Sequence, residues 1–312
     1  MKSNKSALAK ICGYLFDKNE RFRMNAVRGK YPQIPDEDYL RRLYAIYMGK
    51  PLNLENPVTF NEKLQWLKLH DRKPIYTTMV DKAAAKEYVA EKIGAEHIIP
   101  TLGVWDRFDD IDFDSLPDRF VLKTTHDSGG VVICRDQKTF NKKAARKKLE
   151  KSLKRDYYAA YREQPYQNVP RRILAEQYMG SDSGELVDYK FFCFGGHADC
   201  VMICLDRHLQ TPKFYFFDQN WDLKRLNIRG KNAPEGFTVP KPENMDEMFR
   251  IAERLSRDMP FLRVDLYNVG GRIYFGELTF FPDSGFDANL LPETDRYFGA
   301  LLKLPLAEGT EK

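Results

Sequence analysis

No stretch of the 312-residue sequence approaches the ~20 consecutive apolar residues that cross a membrane as a helix. No G-K-[ST] triplet occurs, which excludes a P-loop nucleotide site. Cysteine is scarce: there are 5, Cys12, Cys134, Cys193, Cys200 and Cys204, an odd number with no C-x-x-C pair. That argues against a disulfide framework and a zinc site and fits a reducing compartment. Cys200 and Cys204 fall in the apolar run ADCVMICLD, where a buried thiol is the default. No repeat of basic and aromatic residues points to nucleic acid. Internal repeats and low-complexity segments are also absent. The short run 7–16 contains Lys10 and has no small-residue cleavage site, so it does not read as a signal peptide. It reads as a helix packed on the domain, with an interfacial helix as the alternative.

What is present suits a globular protein. Hydrophobic residues make up 43% and charged residues 30%, in a chain long enough for about two domains with substantial cores. The 21 Phe and 17 Tyr favour packed sheets over disorder. The net charge of +5 is uneven. Residues 1–31 carry Lys2, Lys5, Lys10, Lys18, Arg21, Arg23, Arg28 and Lys30 against Asp17 and Glu20, and 142–155 is again strongly basic. Such patches can meet anionic polymers or a membrane surface; solvated lysine faces are the plainer reading.

Periodicity divides the chain. Residues 1–95 read as a mostly helical N-terminal region, with helix bodies in DEDYLRRLYAIYM, in FNEKLQWL after Thr59, and in KAAAKEYVAEKI from Asp81 to the closing Gly94. From there the pattern is mixed. HIIPTLGVW and RFVLKTTH read as strands, 141–155 as a helix, RRILAEQYM as a strand. LVDYKFFCF and ADCVMICLD read as a pair joined at Gly195-Gly196; KFYFFDQ is another strand and 243–257 an amphipathic helix. Antiparallel strands with inserted helices indicate an α+β protein.

The chemistry concentrates near the C-terminus. FLRVDLYNV and RIYFGELTF read as strands joined by Gly270-Gly271, a two-residue hairpin turn. Alternation puts Arg263 and Asp265 on one face of the first, and Glu277 and Thr279 on one face of the second. Pairing across the turn then brings Asp265 near Glu277. Two facing carboxylates are costly without a cation. Mg²⁺ removes that cost, because it takes carboxylate oxygens together with substrate phosphates. The arginine suits a second anion. The same residues also fit a solvated strand face.

Two further segments carry less on their own. Lys123 ends a strand and runs into Thr124-Thr125-His126-Asp127-Ser128-Gly129-Gly130 before VVIC. Small residues there let backbone N–H groups approach phosphate oxygens while a lysine neutralises charge, although a plain turn explains them too. His126 reads as a loop hydrogen-bonder. In ILAEQYMG, an extended apolar segment can face a purine, with Asp182 or Glu185 just beyond in reach of ribose hydroxyls; an ordinary buried strand is the alternative.

The order of these pieces resembles the ATP-grasp superfamily. It runs Asp81-Lys82, Lys123 before Ser-Gly-Gly, Glu176-Gln-Tyr-Met-Gly, Arg263-x-Asp265, Glu277-x-Thr279 and Pro282. Within the superfamily it looks like the TupA-like branch, named for a teichuronopeptide biosynthesis protein; NPVTFNEKLQWLKLHDR, VLKTTHDSGG, VDYKFFCFGG and ELTFFPDSG fit that branch. The resemblance covers about residues 40 to 305. It implies an ATP-grasp fold, two α+β subdomains clasping ATP: a small one over 96–175 with a glycine-rich flap, and a large one over 176–312 with the Mg²⁺ site. By resemblance, Lys82 and Lys123 hold ATP phosphates, and Ser128, Gly129 and Gly130 close the flap. Glu176, Gln177, Tyr178 and Met179 form the adenine-binding segment, and Lys190 adds a phosphate contact. Asp265 and Glu277 bind Mg²⁺, and Arg263 stabilises the transferring phosphoryl group or an acyl phosphate. Many superfamily members have asparagine where this chain has Thr279, whose hydroxyl can still serve as a ligand.

The resemblance implies a carboxylate–amine ligase that passes through an acyl phosphate and joins an amino acid to a bacterial cell-surface polysaccharide or its precursor, in capsule or cell-envelope assembly. Partners would be ATP, a carboxylate, an amine and an anionic glycan. The expected location is cytoplasmic, with the basic N-terminus available to the inner face of the membrane. A sugar or polysaccharide kinase on the same ATP site is the alternative. A glycosyltransferase ranks lower, because it wants its acidic pair within a nucleotide-sugar fold.

Overall fold

Strand breakers and caps mark out the elements before packing fixes them. The computed structural model describes residues 14, 16–180, 186–205 and 212–305. Of the expected helix over 7–16 only residues 14 and 16 are described; the rest of it, Asp182, Glu185, and the Lys2, Lys5, Lys10 and Cys12 side chains lie outside the described residues. The N-terminal part is helical: α1 (Lys18–Ala26), α2 (Asp36–Met48), α3 (Phe60–His70), α4 (Ile75–Val80) and α5 (Ala84–Ile93). Gly49 ends α2 in the left-handed conformation that glycine adopts without strain. Thr59 and Glu62 form a reciprocal capping box on α3.

Two expectations shift here. Asp81 does not open one long helix. It closes α4, and its Oδ1 accepts from Ala83 N (2.9 Å) ahead of α5, which leaves Lys82 in the turn between them. His97 is not in a strand: 95–97 form a 3-10 turn, and β1 (Thr101–Trp105) starts only after Pro100, whose nitrogen has no hydrogen to donate.

β2 (Phe120–Thr124), β3 (Val131–Cys134), α6 (Lys142–Leu153), α7 (Tyr157–Tyr161) and β4 (Ile173–Gln177) follow. The smaller sheet is antiparallel, in the order β1-β4-β2-β3. Because β4 is hydrogen-bonded into this sheet through Gln177, the expected boundary at 175/176 falls inside a strand. Ala145 and Leu149 of α6 pack with Phe120 and Leu122 to form the sheet's core.

The larger sheet is built from β5 (Asp188–Phe194), β6 (His197–Leu205), β7 (Lys213–Phe217), β8 (Leu223–Lys224), β9 (Phe261–Val269) and β10 (Arg272–Thr279). Its order is β10-β9-β5-β6-β7-β8, again antiparallel. A short helix α8 (Ile228–Lys231) follows β8, then α9 (Met245–Ser256) precedes β9 and α10 (Pro292–Leu301) follows β10. Alternation gives the sheet two faces. Phe191 meets Phe249 of α9 on one, ring centroids 4.9 Å apart. On the other, Phe192 and Phe261 join Phe60 of α3 and Phe298 of α10; Phe60 stands edge-on to Phe261 at 4.9 Å and to Phe298 at 5.6 Å. Such pairs add about 0.5–1.5 kcal/mol beyond burial. This aromatic face continues along β5 and β9 into charge: Phe194 opposes Phe261, Phe192 opposes Arg263, and Lys190 opposes Asp265. No helix among the described residues is long and apolar enough to cross a membrane.

Candidate active site

The β9–β10 hairpin brings the charged residues together. Gly270 and Gly271 have φ of +58° and +78°, the pair of positive values that a tight two-residue turn requires. A bulge at Gly276 corrects the register, so that Glu277 faces Asp265 and Thr279 faces Arg263. A Cβ at Gly276 would come within 2.9 Å of Asp265 O.

Arg263 ties the cluster. Its Nε donates to Asp265 Oδ1 (2.7 Å) and its Nη2 to Asp265 Oδ2 (2.8 Å), Glu277 Oε1 (3.1 Å) and Thr279 Oγ1 (3.1 Å). Lys190 pairs with the same Asp265 carboxylate from β5, and lies 3.9 Å from Asp188 Oδ2. Asp265 is therefore buried and held by two cations. Glu277 differs: its side chain is 43% exposed, against 2% for Asp265. Burial opposes its charge, but Lys82, Lys190, Arg263 and Lys123 override that and hold its carboxyl at about 2.

A second cluster sits on the smaller sheet. Glu176 of β4 accepts from Lys123 of β2 (2.5 Å) and from Lys86 of α5 (2.6 Å). Burial opposes its ionisation; Lys123 and Lys86 prevail and keep the carboxyl below the usual range. Lys86 also donates to Ile99 O (2.6 Å), and burial pulls its ammonium below the ordinary lysine value. Of the 176–179 segment, Glu176 points into this pair of lysines. Gln177 is exposed and its N–H donates to Pro100 O (3.0 Å); Tyr178 and Met179 are half-buried, and Arg119 lies over the Tyr178 ring at 5.6 Å.

The glycine-rich loop between β2 and β3 is tied down from inside. Thr124 and Ser152 hydroxyls donate to the buried Asp127 carboxylate, and Arg155 Nη1 reaches Asp127 Oδ2 (3.3 Å) and Ser128 O (3.1 Å). Lys82 Nζ donates to Asp127 O (2.7 Å), so the α4–α5 turn and the loop meet directly. A Cβ at Gly130 would overlap Thr124 Oγ1 and Ser152 Oγ, whereas Ser128 and Gly129 are exposed at the tip. His126 is buried, with Nε2 at 3.2 Å from Arg155 O, which fits a loop hydrogen-bonder.

Sequence reasoning missed Lys86 and a set of supports on α3. Asn61, Gln65 and Lys68 form a buried polar stripe on α3, at i, i+4 and i+7. Gln65 Nε2 donates to Ser284 O (3.2 Å) and Gly285 O (2.6 Å), Lys68 Nζ to Ser284 O (2.8 Å), and Asn61 Oδ1 accepts from Asp287 N (2.9 Å). They hold the turn Pro282–Gly285, in which Asp283 and Ser284 have φ of +45° and +55°. Non-glycine residues there are strained and persist only where surroundings enforce them. The signal was present: polar residues at the positions of an apolar stripe, with Leu64 and Leu67 beside them.

The family model described as TupA-like ATPgrasp matches residues 62–303, well over half of the chain. The chain belongs to the TupA-like ATP-grasp family. It has the α+β ATP-grasp fold. No curated protein matches it. Solved structures similar to this TupA-like chain include D-alanine–D-alanine ligase from Bacillus anthracis complexed with ATP, at 14% identity over 71% of this chain and 63% of that one, TM-score 0.39. The same enzyme from Helicobacter pylori has 12% identity over 80% of this chain and 67% of that one, TM-score 0.43. The ATP-grasp ligase PsnB complexed with minimal precursor has 9% identity over 78% of this chain and 68% of that one, TM-score 0.41. The TupA-like chain thus spans 63% of the length of the first of these relatives.

The donor set of the hairpin fits Mg²⁺. Asp265 and Glu277 supply carboxylate oxygens and Thr279 a hydroxyl, all hard ligands. Among the described residues no cluster of three or more His, Cys, Asp or Glu is placed to hold a metal.

Proposed function

We propose that this chain is an ATP- and Mg²⁺-dependent carboxylate–amine ligase, working through an acyl phosphate and joining an amino acid to a bacterial cell-surface polysaccharide or its precursor. Its setting is the cytoplasmic side of the cell envelope. The observation that carries the reading is the Arg263–Asp265–Glu277–Thr279 cluster, with Lys190 paired to Asp265 and with the charges of Lys82 and Lys123 lowering the Glu277 carboxyl.

In this reading Lys82 and Lys123 bind the phosphates of ATP, with Lys190 as a further contact. Ser128, Gly129 and Gly130 cover them and exclude water, which protects an acyl phosphate from hydrolysis. Residues 176–179 line the adenine. Asp265, Glu277 and Thr279 would hold Mg²⁺, which would neutralise the charge of the phosphate oxygens. Arg263 already donates to both carboxylates, so its guanidinium is oriented before substrate arrives. It meets the charge that builds on the transferring phosphoryl group. The substrate carboxylate attacks the γ-phosphorus and ADP leaves; the amine then attacks the acyl carbon and phosphate leaves. No nucleophile from the chain is required.

The test is release of ADP and phosphate from ATP·Mg²⁺ across a screen of amino acids and uronic-acid donors. The ligase requires both a carboxylate and an amine for turnover. ADP release with a sugar and no amine dependence would identify a kinase instead, and hydrolysis of nucleotide sugars a glycosyltransferase.

A further inference from the structure

Between 142 and 155 the sequence has Lys142, Lys143, Arg146, Lys147, Lys148, Lys151, Lys154 and Arg155 against the single acid Glu150. Four of these cations are engaged. Arg146 pairs with Asp109 and lies 3.9 Å from Glu150, Lys148 donates to Val131 O (2.5 Å), Lys142 sits over the Phe113 ring, and Arg155 reaches Asp127. The remaining four, Lys143, Lys147, Lys151 and Lys154, are exposed, and their side chains make no ion pair or hydrogen bond among the described residues. Their spacing of i, i+4, i+8 and i+11 makes one row about 16 Å long. It lies on the side away from the buried Ala145, Leu149 and Ser152.

The row works against the helix that bears it. Like charges at i and i+4 repel. Lys142 and Lys143 also occupy the first turn, where the positive end of the helix disfavours cations and no acid is present. An ordinary solvated face mixes signs, as α2 does with Glu37 and Arg41 at 2.8 Å. The flanks exclude two kinds of partner. Beside the row stand Ala144 and Glu150, with no long apolar side chain to enter a bilayer and no aromatic ring to stack on a base. A linear chain that repeats carboxylates along its length matches a linear row of ammonium groups without either. The row also runs toward the glycine-rich loop, because Ser152 and Arg155 of the same segment hold Asp127 and Ser128.

We propose that the lysine row of α6 is the docking surface for a polyanionic glycan, which it leads toward the glycine-rich loop. The purpose assigned to that glycan rests on the ligase reading; the binding does not. The test uses the full chain without ATP and measures fluorescence anisotropy with labelled oligogalacturonate at rising salt. Lys143→Gln, Lys147→Gln, Lys151→Gln and Lys154→Gln are combined in one variant, since glutamine keeps helix propensity. Oligogalacturonate should bind the wild type with affinity that falls as salt rises, and the variant should bind about tenfold or more weakly, with a flatter salt dependence. Its melting temperature should be equal or higher, since repulsion is removed. An unchanged affinity in a folded variant would overturn the proposal. So would tighter binding of the wild type to anionic phospholipid vesicles, or to a DNA oligonucleotide of equal charge. Glycan binding that survives in a protein without amine-dependent ATP turnover would support the surface while removing the ligase reading.

Discussion

Glu176 and Glu277 are the same residue type, both held ionised, yet they sit in opposite situations. Glu176 is gripped by Lys86 and Lys123, and its side chain is 7% exposed. Glu277 is 43% exposed and, among the described residues, touches a single cation, Arg263, while three lysines act on it from farther off. The smaller sheet thus carries a closed cluster; on the larger, Asp265 is closed in the same way by Arg263 and Lys190, and Glu277 is the open member. A closed cluster orients its members and holds two chain segments together. An open carboxylate keeps oxygen lone pairs available to a cation that arrives with substrate. Charge in the sequence does not separate the two; exposure does.

The sharpest break of that contrast is Glu277→Gln. Turnover should fall about a thousandfold or more, because a ligand to the phosphate-bridging ion is lost, while the melting temperature falls by only a few degrees, as the part-exposed carboxylate gives up the charge stabilisation that lowers it. Near-normal activity at limiting Mg²⁺ would remove Glu277 from the ligands. Asp265→Asn is expected to stop turnover as well, and it separates from Glu277→Gln by stability: Lys190 and Arg263 then face a buried neutral amide, at a cost of about 3 kcal/mol in denaturant unfolding.

Arg263→Lys comes next. Lysine keeps the charge and loses the fork that engages Asp265 and Glu277 together. The expected result is a kcat lower by about tenfold or more with the KM for ATP little changed, since the interaction matters most in the transition state. A loss in kcat below about threefold, together with a lower melting temperature, would make Arg263 a strand brace only.

Glu176→Gln should act in the reverse sense. Two nearly buried ammonium groups lose their partner, so unfolding free energy should drop by about 3 kcal/mol, and kcat at saturating ATP should hold up better than in Glu277→Gln. If both glutamates behave alike in both assays, the closed-versus-open distinction fails.

The smallest effect is on pH. The Glu277 carboxyl is lowered from 4.5 to about 2. A depressed carboxyl contributes stability that is complete above its unfolded value and is lost as pH falls through the folded one, so the window runs from about 4.5 down to about 2. Carbon NMR of Glu277 should show no titration midpoint above pH 3, and Arg263→Met should move the midpoint upward.

The hairpin was legible because its determinants are local. Alternation paired Arg263 with Asp265 and Glu277 with Thr279 within each strand, and two glycines set the turn; the bulge at Gly276 that brings the two pairs onto one face was not read. The antiparallel β5–β6 pair was read from Gly195-Gly196 in the same way. Lys86 was not, although it lies on the face of α5 shared by Val89 and Ile93, where a charge is out of place. Its partner Glu176 is far along the chain, and nothing within one turn of the helix announces it. The long strand expected from His97 failed for a local reason that was in view, Pro100, whereas the boundary at 175/176 required knowing that β4 pairs with both β1 and β2.

The stripe on α3 has a consequence for how such a chain can be recombined. Lys68 donates to Gln65 on the same helix and to Tyr161 O, but Asn61, Gln65 and Lys68 each also serve backbone groups more than two hundred positions away. The left-handed turn next to Thr279 therefore has its mould in a different part of the gene. A chimera that took its front portion from one relative and its hairpin from another would mismatch mould and casting, even with every residue of the charged cluster retained. The helical front and the 282–287 segment form one unit of inheritance, and should be exchanged together or not at all.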